Sequence, residues 1–165
     1  MKSCFIKAGY ICNSDPDKYQ DSIEDALTYQ IQVYRYAAKA IMQFGANTVL
    51  DVGCGYALKL KKYILPTGVW ITGVDLKETI QFCTKYHSFG RWFVDDIEAP
   101  HADLGTSFDF IICSDVIEHL HNPDHLFSYF GLWSHSKTKI LLSTPERDLR
   151  RGVNDMGPPE NRAHV

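Results

Sequence analysis

Short apolar segments alternate with helix-type segments along most of the chain, and this alternation constrains the fold more than any other feature. The apolar segments are rich in β-branched and aromatic residues, as expected of buried strands. They lie at residues 48–52, 69–74, 91–94, 108–113 and 140–142. Strands separated by helices form βαβ units, whose right-handed crossovers make the strands parallel. We therefore predict an α/β fold with an open, mostly parallel sheet of about five strands and helices on both faces.

A further helix is predicted in front of the sheet. Ser22 and Asp25 have the spacing of a capping box, and apolar residues recur at helical intervals from Leu27 to Ile41. Gly45 follows the last of these intervals, and glycine is common just past the end of a helix. The sequence thus predicts one N-terminal helix between Ser22 and Gly45.

Two terminal segments lack any strand or helix period. Residues 1–21 contain a cluster of turn-forming residues, and residues 144–165 contain proline, glycine and alternating charges. We predict that the first segment is an N-terminal arm and that the second is a loop or tail. Residues 22–143 then form the folded domain.

The composition of the chain excludes several classes of protein. Its 165 residues include 17 basic and 20 acidic side chains, a balance that provides no electrostatic surface for nucleic acid or an anionic membrane. No apolar run approaches the roughly 18 residues that span a bilayer. The five cysteines are odd in number and form no Cys-x-x-Cys pair, which favours reduced thiols. We expect a soluble cytoplasmic protein, and composition leaves its oligomeric state open.

The turn after the first predicted strand carries the strongest functional signal. Asp51 lies at the end of that strand, and Gly53 and Gly55 follow with Cys54 between them. Two glycines let a ligand approach the bare backbone at the start of a helix, although a plain strand-to-helix turn is the alternative. A nicotinamide dinucleotide loop would need a third glycine where Leu58 stands, and Asp51 would repel a pyrophosphate. Attraction to Asp51 instead favours a ligand with an ammonium group.

Acidic residues also end the second and third predicted strands. Asp75, followed by Leu76, occupies the position where a carboxylate accepts hydrogen bonds from both hydroxyls of a ribose, and its alternative role is a helix N-cap. Asp96 and Ile97 end the third strand, where a carboxylate can accept from an adenine amino group and an aliphatic side chain can cover the ring. Because parallel strands end at one edge of the sheet, we predict a nucleoside site there.

These motifs, in this order, resemble those of class I S-adenosylmethionine (SAM)-dependent methyltransferases. The resemblance covers roughly residues 47–145 and is strongest to the small-molecule branch that includes the ubiquinone and menaquinone biosynthesis methylases. It implies a Rossmann-like fold, SAM as the cofactor, and methyl transfer to the oxygen, nitrogen or carbon of a small-molecule acceptor. The resemblance also implies that Asp51, Gly53 and Gly55 hold the methionine part of SAM and that Ser114 lies beside the sulfonium. It implies the same ribose role for Asp75 and the same adenine role for Asp96 and Ile97 as proposed above.

The chain departs from this family's pattern in two places. Ala57 stands where the family usually has a third glycine, and the five predicted strands are fewer than the family's seven. These departures leave an alternative function open, that of a non-catalytic SAM-binding or scaffold domain.

Candidate catalytic residues follow the fourth predicted strand. His119 is a candidate general base because imidazole titrates near neutral pH, and Asp115 lies shortly before it in the sequence. A structural hydrogen bond is the alternative role for His119. Some quinone-type family members bind a divalent ion with an acid–histidine cluster here, which Asp115, Glu118 and His119 partly match. We predict no metal site, because His119 and His121 are poorly spaced as ligands on a helix.

Overall fold

Five parallel strands form one open sheet in the part of the chain that the structure describes. The computed structural model describes residues 8–13, 15 and 22–164. The strands are β1 (Thr48–Val52), β2 (Trp70–Asp75), β3 (Gly90–Val94), β4 (Phe108–Ser114) and β5 (Ser134–Ser143). Their order is β3-β2-β1-β4-β5, and all four neighbouring pairs are parallel. The predicted α/β fold with a five-stranded, parallel, Rossmann-like sheet is confirmed.

The strand order determines where a ligand can bind. The chain builds from β1 outward to β3 on one side and then returns to the centre to add β4 and β5 on the other. The loops after β1 and β4 therefore separate in opposite directions and leave a crevice at the carboxyl edge of the sheet. Every predicted site residue that follows a strand lies at this edge.

Helices cover both faces of the sheet, as predicted. The helices of the described residues are α1 (Ile23–Thr28), α2 (Ile31–Phe44), α3 (Lys77–Tyr86), α4 (Pro123–Trp133) and α5 (Arg147–Arg151). Of these, α2 and α3 pack on one face of the sheet and α4 packs on the other. The β1–β2 connection contains a π-helical turn at Leu60–Ile64 and a 3₁₀ turn at Leu65–Thr67, and a second 3₁₀ turn spans Ile117–His119. No helix among the described residues is long and apolar enough to cross a membrane.

The alternation of side chains along each strand divides the core into two layers. Val49 of β1 packs in one buried cluster with Ile41 of α2 and Ile80 of α3. Its neighbour Leu50 packs in the opposite cluster with Leu126 of α4. Both faces of the sheet are therefore buried, which is why the strands are almost continuously apolar.

The predicted N-terminal helix is present but is not continuous. It ends at Gly45, whose φ of 63° is the left-handed geometry expected after a helix. Its first part is a separate helix, α1, because Gln30 adopts a left-handed backbone with φ of 60°. The apolar pattern did not reveal this break, since the pattern continues across it.

The C-terminal segment packs back onto the rest of the chain. It was predicted to be a loop or tail, and it contains the short helix α5 followed by turns. The N–H of Ile11 donates to the carbonyl of Met156 at 2.9 Å, and Asn13 Nδ2 donates to the carbonyl of Arg162 at 2.8 Å. The described part of the N-terminal arm thus contacts this segment, and the rest of the predicted arm lies outside the described residues.

Candidate functional site

The turn after β1 exposes backbone at the carboxyl edge of the sheet. Gly53 and Gly55 have φ values of 76° and 53°, in the left-handed region that favours glycine. A Cβ atom on Gly53 would overlap the side chain of Val116, which follows β4. Ala57 also has a left-handed φ, 56°, a conformation that glycine adopts more readily than alanine.

Asp75 connects the end of β2 to this turn. Its Oδ2 accepts a hydrogen bond from the N–H of Gly55 at 2.8 Å, and its Oδ1 accepts from the N–H of Leu76 at 2.7 Å. Leu76 is the N-cap residue of α3, and no side chain caps that helix. The alternative N-cap role for Asp75 is therefore wrong, and its carboxylate holds the glycine turn against β2.

The two aspartates that follow β3 have different roles. Asp95 is buried, and it accepts hydrogen bonds from the hydroxyl of Tyr129 at 2.8 Å and the N–H of His101 at 2.9 Å. These bonds fold the loop that follows. Asp96 is exposed, its Oδ1 accepts from the N–H of Glu98 at 2.9 Å, and it lines the crevice beside Ile97.

These strand ends enclose a cleft of about 430 Å³, referred to below as the cofactor cleft. Ten of the predicted site residues line it: Gly53, Cys54, Gly55, Asp75, Leu76, Asp96, Ile97, Ser114, Asp115 and His119. Eleven further residues that were not predicted as site residues also line it: Tyr29, Gln30, Lys59, Val74, Thr79, Asp95, Glu98, Val116, Leu120, His121 and Ala163. The topology therefore brings the glycine turn and the acidic strand ends to one cavity.

Asp51 is the predicted site residue that does not line this cleft. Its side chain is fully buried; Oδ2 accepts from the hydroxyl of Tyr34 at 2.7 Å, and Oδ1 has no hydrogen-bond partner in the described structure. Burial raises the pKa of Asp51 from its ordinary value of 3.8 to about 7, although Tyr34 and Lys59 act to lower it. A buried carboxylate with an unsatisfied oxygen is stabilised by any additional positive charge nearby.

Asp115 is held in place from two sides. Its Oδ2 accepts from Gln30 Nε2 at 3.0 Å, and its Oδ1 accepts from Ser143 Oγ at 3.1 Å. The Ser143 hydroxyl also lies 2.8 Å from Ser114 Oγ. Asp115 has a left-handed φ of 56°, which is uncommon for a non-glycine residue and is maintained here by these contacts.

His119 contacts the C-terminal segment. Its Nδ1 lies 2.8 Å from the carbonyl oxygen of Ala163, and its ring centroid lies 4.9 Å from that of His164 in an edge-to-face arrangement. Burial lowers the pKa of His119 below its usual value, while the Ala163 carbonyl and Asp115 act in the opposite direction. The ring is therefore neutral at pH 7.

An acid–histidine cluster surrounds this ring. Glu118 Oε2 accepts from Thr144 Oγ1 at 3.1 Å, and Glu118 Oε1 is buried without a hydrogen-bond partner in the described residues. Burial raises the pKa of Glu118 to about 7, and the charge of Asp115 adds to this effect. One ligand-type atom from each of Glu118, His119 and His164 lies within 4.8 Å of the others. The absence of a metal here stays a prediction.

A second cavity, of about 600 Å³, adjoins the cofactor cleft. The two share the residues Tyr29, Gln30, Asp115 and His119. The remaining lining of the second cavity comes mostly from the C-terminal segment and includes Arg150, Glu160, Asn161 and His164. The shared residues are thus where molecules bound in the two cavities would meet.

Comparison with known proteins agrees with this geometry. A family model described as a methyltransferase domain matches residues 29–164. A ubiquinone biosynthesis O-methyltransferase of Coxiella burnetii (strain RSA 493 / Nine Mile phase I) is 30% identical over 106 residues, which cover 62% of this chain and 45% of that protein. The mitochondrial protein of the same name from Schizosaccharomyces pombe is 32% identical over 113 residues, covering 64% and 40%. The chain spans less than half the length of these relatives.

Solved structures show the same fold. The plantazolicin methyltransferase BpumL, in complex with a triazolic desmethylPZN analogue and SAH, superposes with a TM-score of 0.63 at 18% identity, over 78% of this chain and 53% of that one. The SAM-bound amino pentose methyltransferase CalS10 of Micromonospora echinaspora has a TM-score of 0.63 at 15% identity, over 80% and 60%. At these identities the likeness concerns the fold alone.

Proposed function

The chain belongs to the methyltransferase-domain family whose model it matches over residues 29–164, and we propose that it transfers a methyl group from SAM to a small-molecule acceptor. The observation that carries this proposal is the convergence of the glycine turn, Asp75 and Asp96 on one cleft at the carboxyl edge of the sheet. When bound, SAM supplies a methyl group already activated by its positively charged sulfur.

The residues of the cofactor cleft fit the parts of SAM. The Asp75 carboxylate lines the cleft, and because a carboxylate oxygen can accept more than one hydrogen bond, it can bind ribose hydroxyls as well as the N–H groups of Gly55 and Leu76. Ile97 offers an apolar side chain for the adenine ring, and Asp96 offers an acceptor for its amino group. The same positions would suit the ribose of a nicotinamide dinucleotide, so the rest of the cleft must discriminate between the two.

The charged residues at the glycine turn distinguish SAM from a nicotinamide dinucleotide. Lys59 lines the cleft, and its positive charge acts on the buried carboxylate of Asp51, whose Oδ1 is unsatisfied among the described residues. Opposite charges at this end match the ammonium and carboxylate of an amino acid. A pyrophosphate would instead lie beside the carboxylate of Asp75, which lines the cleft and would repel it. These groups favour SAM over a dinucleotide.

The second cavity is suited to the acceptor. Methyl transfer requires the acceptor atom to approach the methyl carbon in line with the bond that breaks, and the protein's main contribution is this alignment and the exclusion of water. Asp115 and His119 line both cavities, so they stand where the two molecules meet. A neutral His119 can accept the proton that an acceptor hydroxyl or amine loses. The relatives named as methyltransferases do not favour the non-catalytic alternative.

Release of S-adenosylhomocysteine across a panel of small phenols, amines and hydroxy acids tests this function. We expect turnover with at least one class, and we expect His119→Ala to abolish it while SAM still binds. His135→Ala provides a matched control, because His135 lies at the start of β5 and lines neither cavity. If folded wild-type protein binds SAM but no acceptor class yields product, the catalytic proposal is wrong.

A further inference from the structure

The contact between His119 and Ala163 determines which ring nitrogen carries the proton. A backbone carbonyl can only accept a hydrogen bond, so the nitrogen that lies 2.8 Å from the Ala163 oxygen must be protonated. That nitrogen is Nδ1. Because burial keeps the ring neutral at pH 7, Nε2 is then the nitrogen with a lone pair.

A compact turn presents the Ala163 carbonyl to the ring. Asn161 Oδ1 accepts from the N–H of Ala163 at 3.0 Å, and the N–H of His164 donates to the carbonyl of Asn161 at 3.0 Å. Asn161 Nδ2 also lies 3.1 Å from His164 Nε2. Ala163 is buried although its neighbours Asn161 and Arg162 are exposed. Asn161 therefore organises the turn that carries the Ala163 carbonyl.

A second anchor fastens this turn to the N-terminal arm. Asn13 Nδ2 donates to the carbonyl of Arg162, the residue just before Ala163. The edge-to-face contact with His164 further restricts rotation of the His119 ring. The ring is thus constrained by its hydrogen bond and by packing, and both constraints come from residues 161–164.

We infer that residues 161–164 are a positioning element that holds His119 in the Nδ1–H tautomer, the form in which Nε2 carries the lone pair that a base needs. The role of the base rests on the proposed function, whereas the tautomer does not. In the transfer step, the acceptor atom gives its proton to Nε2 and its electron pair to the methyl carbon. The carbon–sulfur bond breaks, its electron pair remains on sulfur, and the imidazolium later releases the Nε2 proton to water.

The tautomer can be measured directly by ¹⁵N NMR of the histidine side chains in the full chain. The His119 signals are assigned from their disappearance in His119→Gln. At a pH above neutrality we expect a protonated Nδ1 and an unprotonated Nε2, the reverse of the tautomer that an unrestrained neutral imidazole prefers. A wild-type His119 in the Nε2–H form would overturn the inference.

Substitutions in the turn test the role of residues 161–164. We expect Asn161→Ala to lose the Nδ1–H signature, and Asn161→Asp to retain it because an Asp oxygen can still accept from the N–H of Ala163. Asn13→Ala, which removes the other anchor, should weaken the signature even if Asn161→Ala fails to fold. Val153→Ala is the control, since Val153 is an exposed residue in the same segment. An unchanged His119 spectrum in folded Asn161→Ala and Asn13→Ala would show that the turn does not set the tautomer.

A SAM titration of the same samples separates this inference from the proposed function. If the Nδ1–H tautomer is present and depends on the turn but SAM does not bind, the proposed function fails and the positioning of His119 stands. If SAM binds to all variants but the tautomer is wrong, the positioning inference alone fails.

Discussion

The carboxylate of Asp75 accepts a hydrogen bond from the backbone N–H of Gly55 at 2.8 Å, across 20 positions of sequence. This bond joins the end of β2 to the turn that follows β1. It means that the acid expected to hold the ribose also shapes the backbone expected to lie against the amino-acid part of SAM.

Replacing Asp75 by alanine should therefore weaken SAM binding. The loss of hydrogen bonds to a charged group, about 1.5–3 kcal/mol, corresponds to roughly 10- to 150-fold in the dissociation constant. Isothermal titration calorimetry measures this change. Asp124→Ala is a matched control, because Asp124 is an exposed carboxylate on α4 that lines neither cavity. Equal affinities for wild type and Asp75→Ala would exclude the ribose role.

Gly53→Ala should destabilise the fold through two separate effects. The added Cβ would overlap Val116, and alanine is strained at a φ of 76°; together these cost about 2–4 kcal/mol. Gly105→Ala isolates the backbone effect, because Gly105 has the same φ and no atom within 4 Å of the added Cβ. Urea unfolding measures both variants.

A double variant checks the source of the Gly53 effect. Gly53→Ala combined with Val116→Ala removes the overlap but keeps the backbone strain. We expect its destabilisation to be smaller than the sum of the two single effects. If the effects simply add, Val116 does not restrict the turn.

The stability of the protein should depend on pH through Asp51. Its pKa is raised from 3.8 to about 7 in the folded state, so between these values the unfolded chain releases the proton while the folded chain keeps it. The folded state therefore loses stability as pH rises from about 4 to about 7, and the loss is complete above pH 7. Asp51→Asn removes this loss. Its free energy of unfolding should therefore rise by about 2–4 kcal/mol relative to that of wild type between pH 4 and pH 7.

Urea unfolding of wild type and Asp51→Asn at several pH values measures this gain. Glu118, whose pKa is also raised to about 7, contributes equally to both proteins and cancels in the difference. A difference in free energy of unfolding that stays constant from pH 4 to pH 7 would contradict the burial-driven pKa of Asp51.

Cofactor binding should be coupled to the same proton. A cation bound near Asp51 favours its ionised form, so SAM binding near pH 7 releases a fraction of a proton from this group. Titrations in buffers of different ionisation enthalpy report the number of protons released. Wild type should release more protons than Asp51→Asn, whereas equal proton release would place the positive charge of SAM away from Asp51.

Most of the cofactor cleft could be predicted because its residues directly follow strands. In a parallel sheet every strand ends at the same edge, so the sequence positions of Gly53, Asp75 and Asp96 were sufficient to bring them together. The exception is Asp51, which lies one residue before the end of β1 and is fully buried. The position of Asp51 in the sequence indicated a role at this edge of the sheet. Its burial could not be predicted, because it results from the packing of α2, whose Tyr34 donates a hydrogen bond to Asp51.

The residues that sequence reasoning missed enter the site through distant parts of the chain. Gln30 reaches Asp115 across 85 positions, and Ala163 reaches His119 across 44. Neither Gln30 nor Ala163 belongs to a motif, since one is a polar residue in an amphipathic pattern and the other contributes only its backbone carbonyl. Contacts of this kind depend on how the terminal segments pack over the finished sheet.

The central claim is that the cleft binds a positively charged sulfur nucleoside, and parallel calorimetric titrations of the wild-type protein with SAM and with NADH test it most directly. We expect saturable binding of SAM and no measurable heat of binding from NADH. Binding of NADH without SAM, or of neither ligand by folded protein, would contradict the claim.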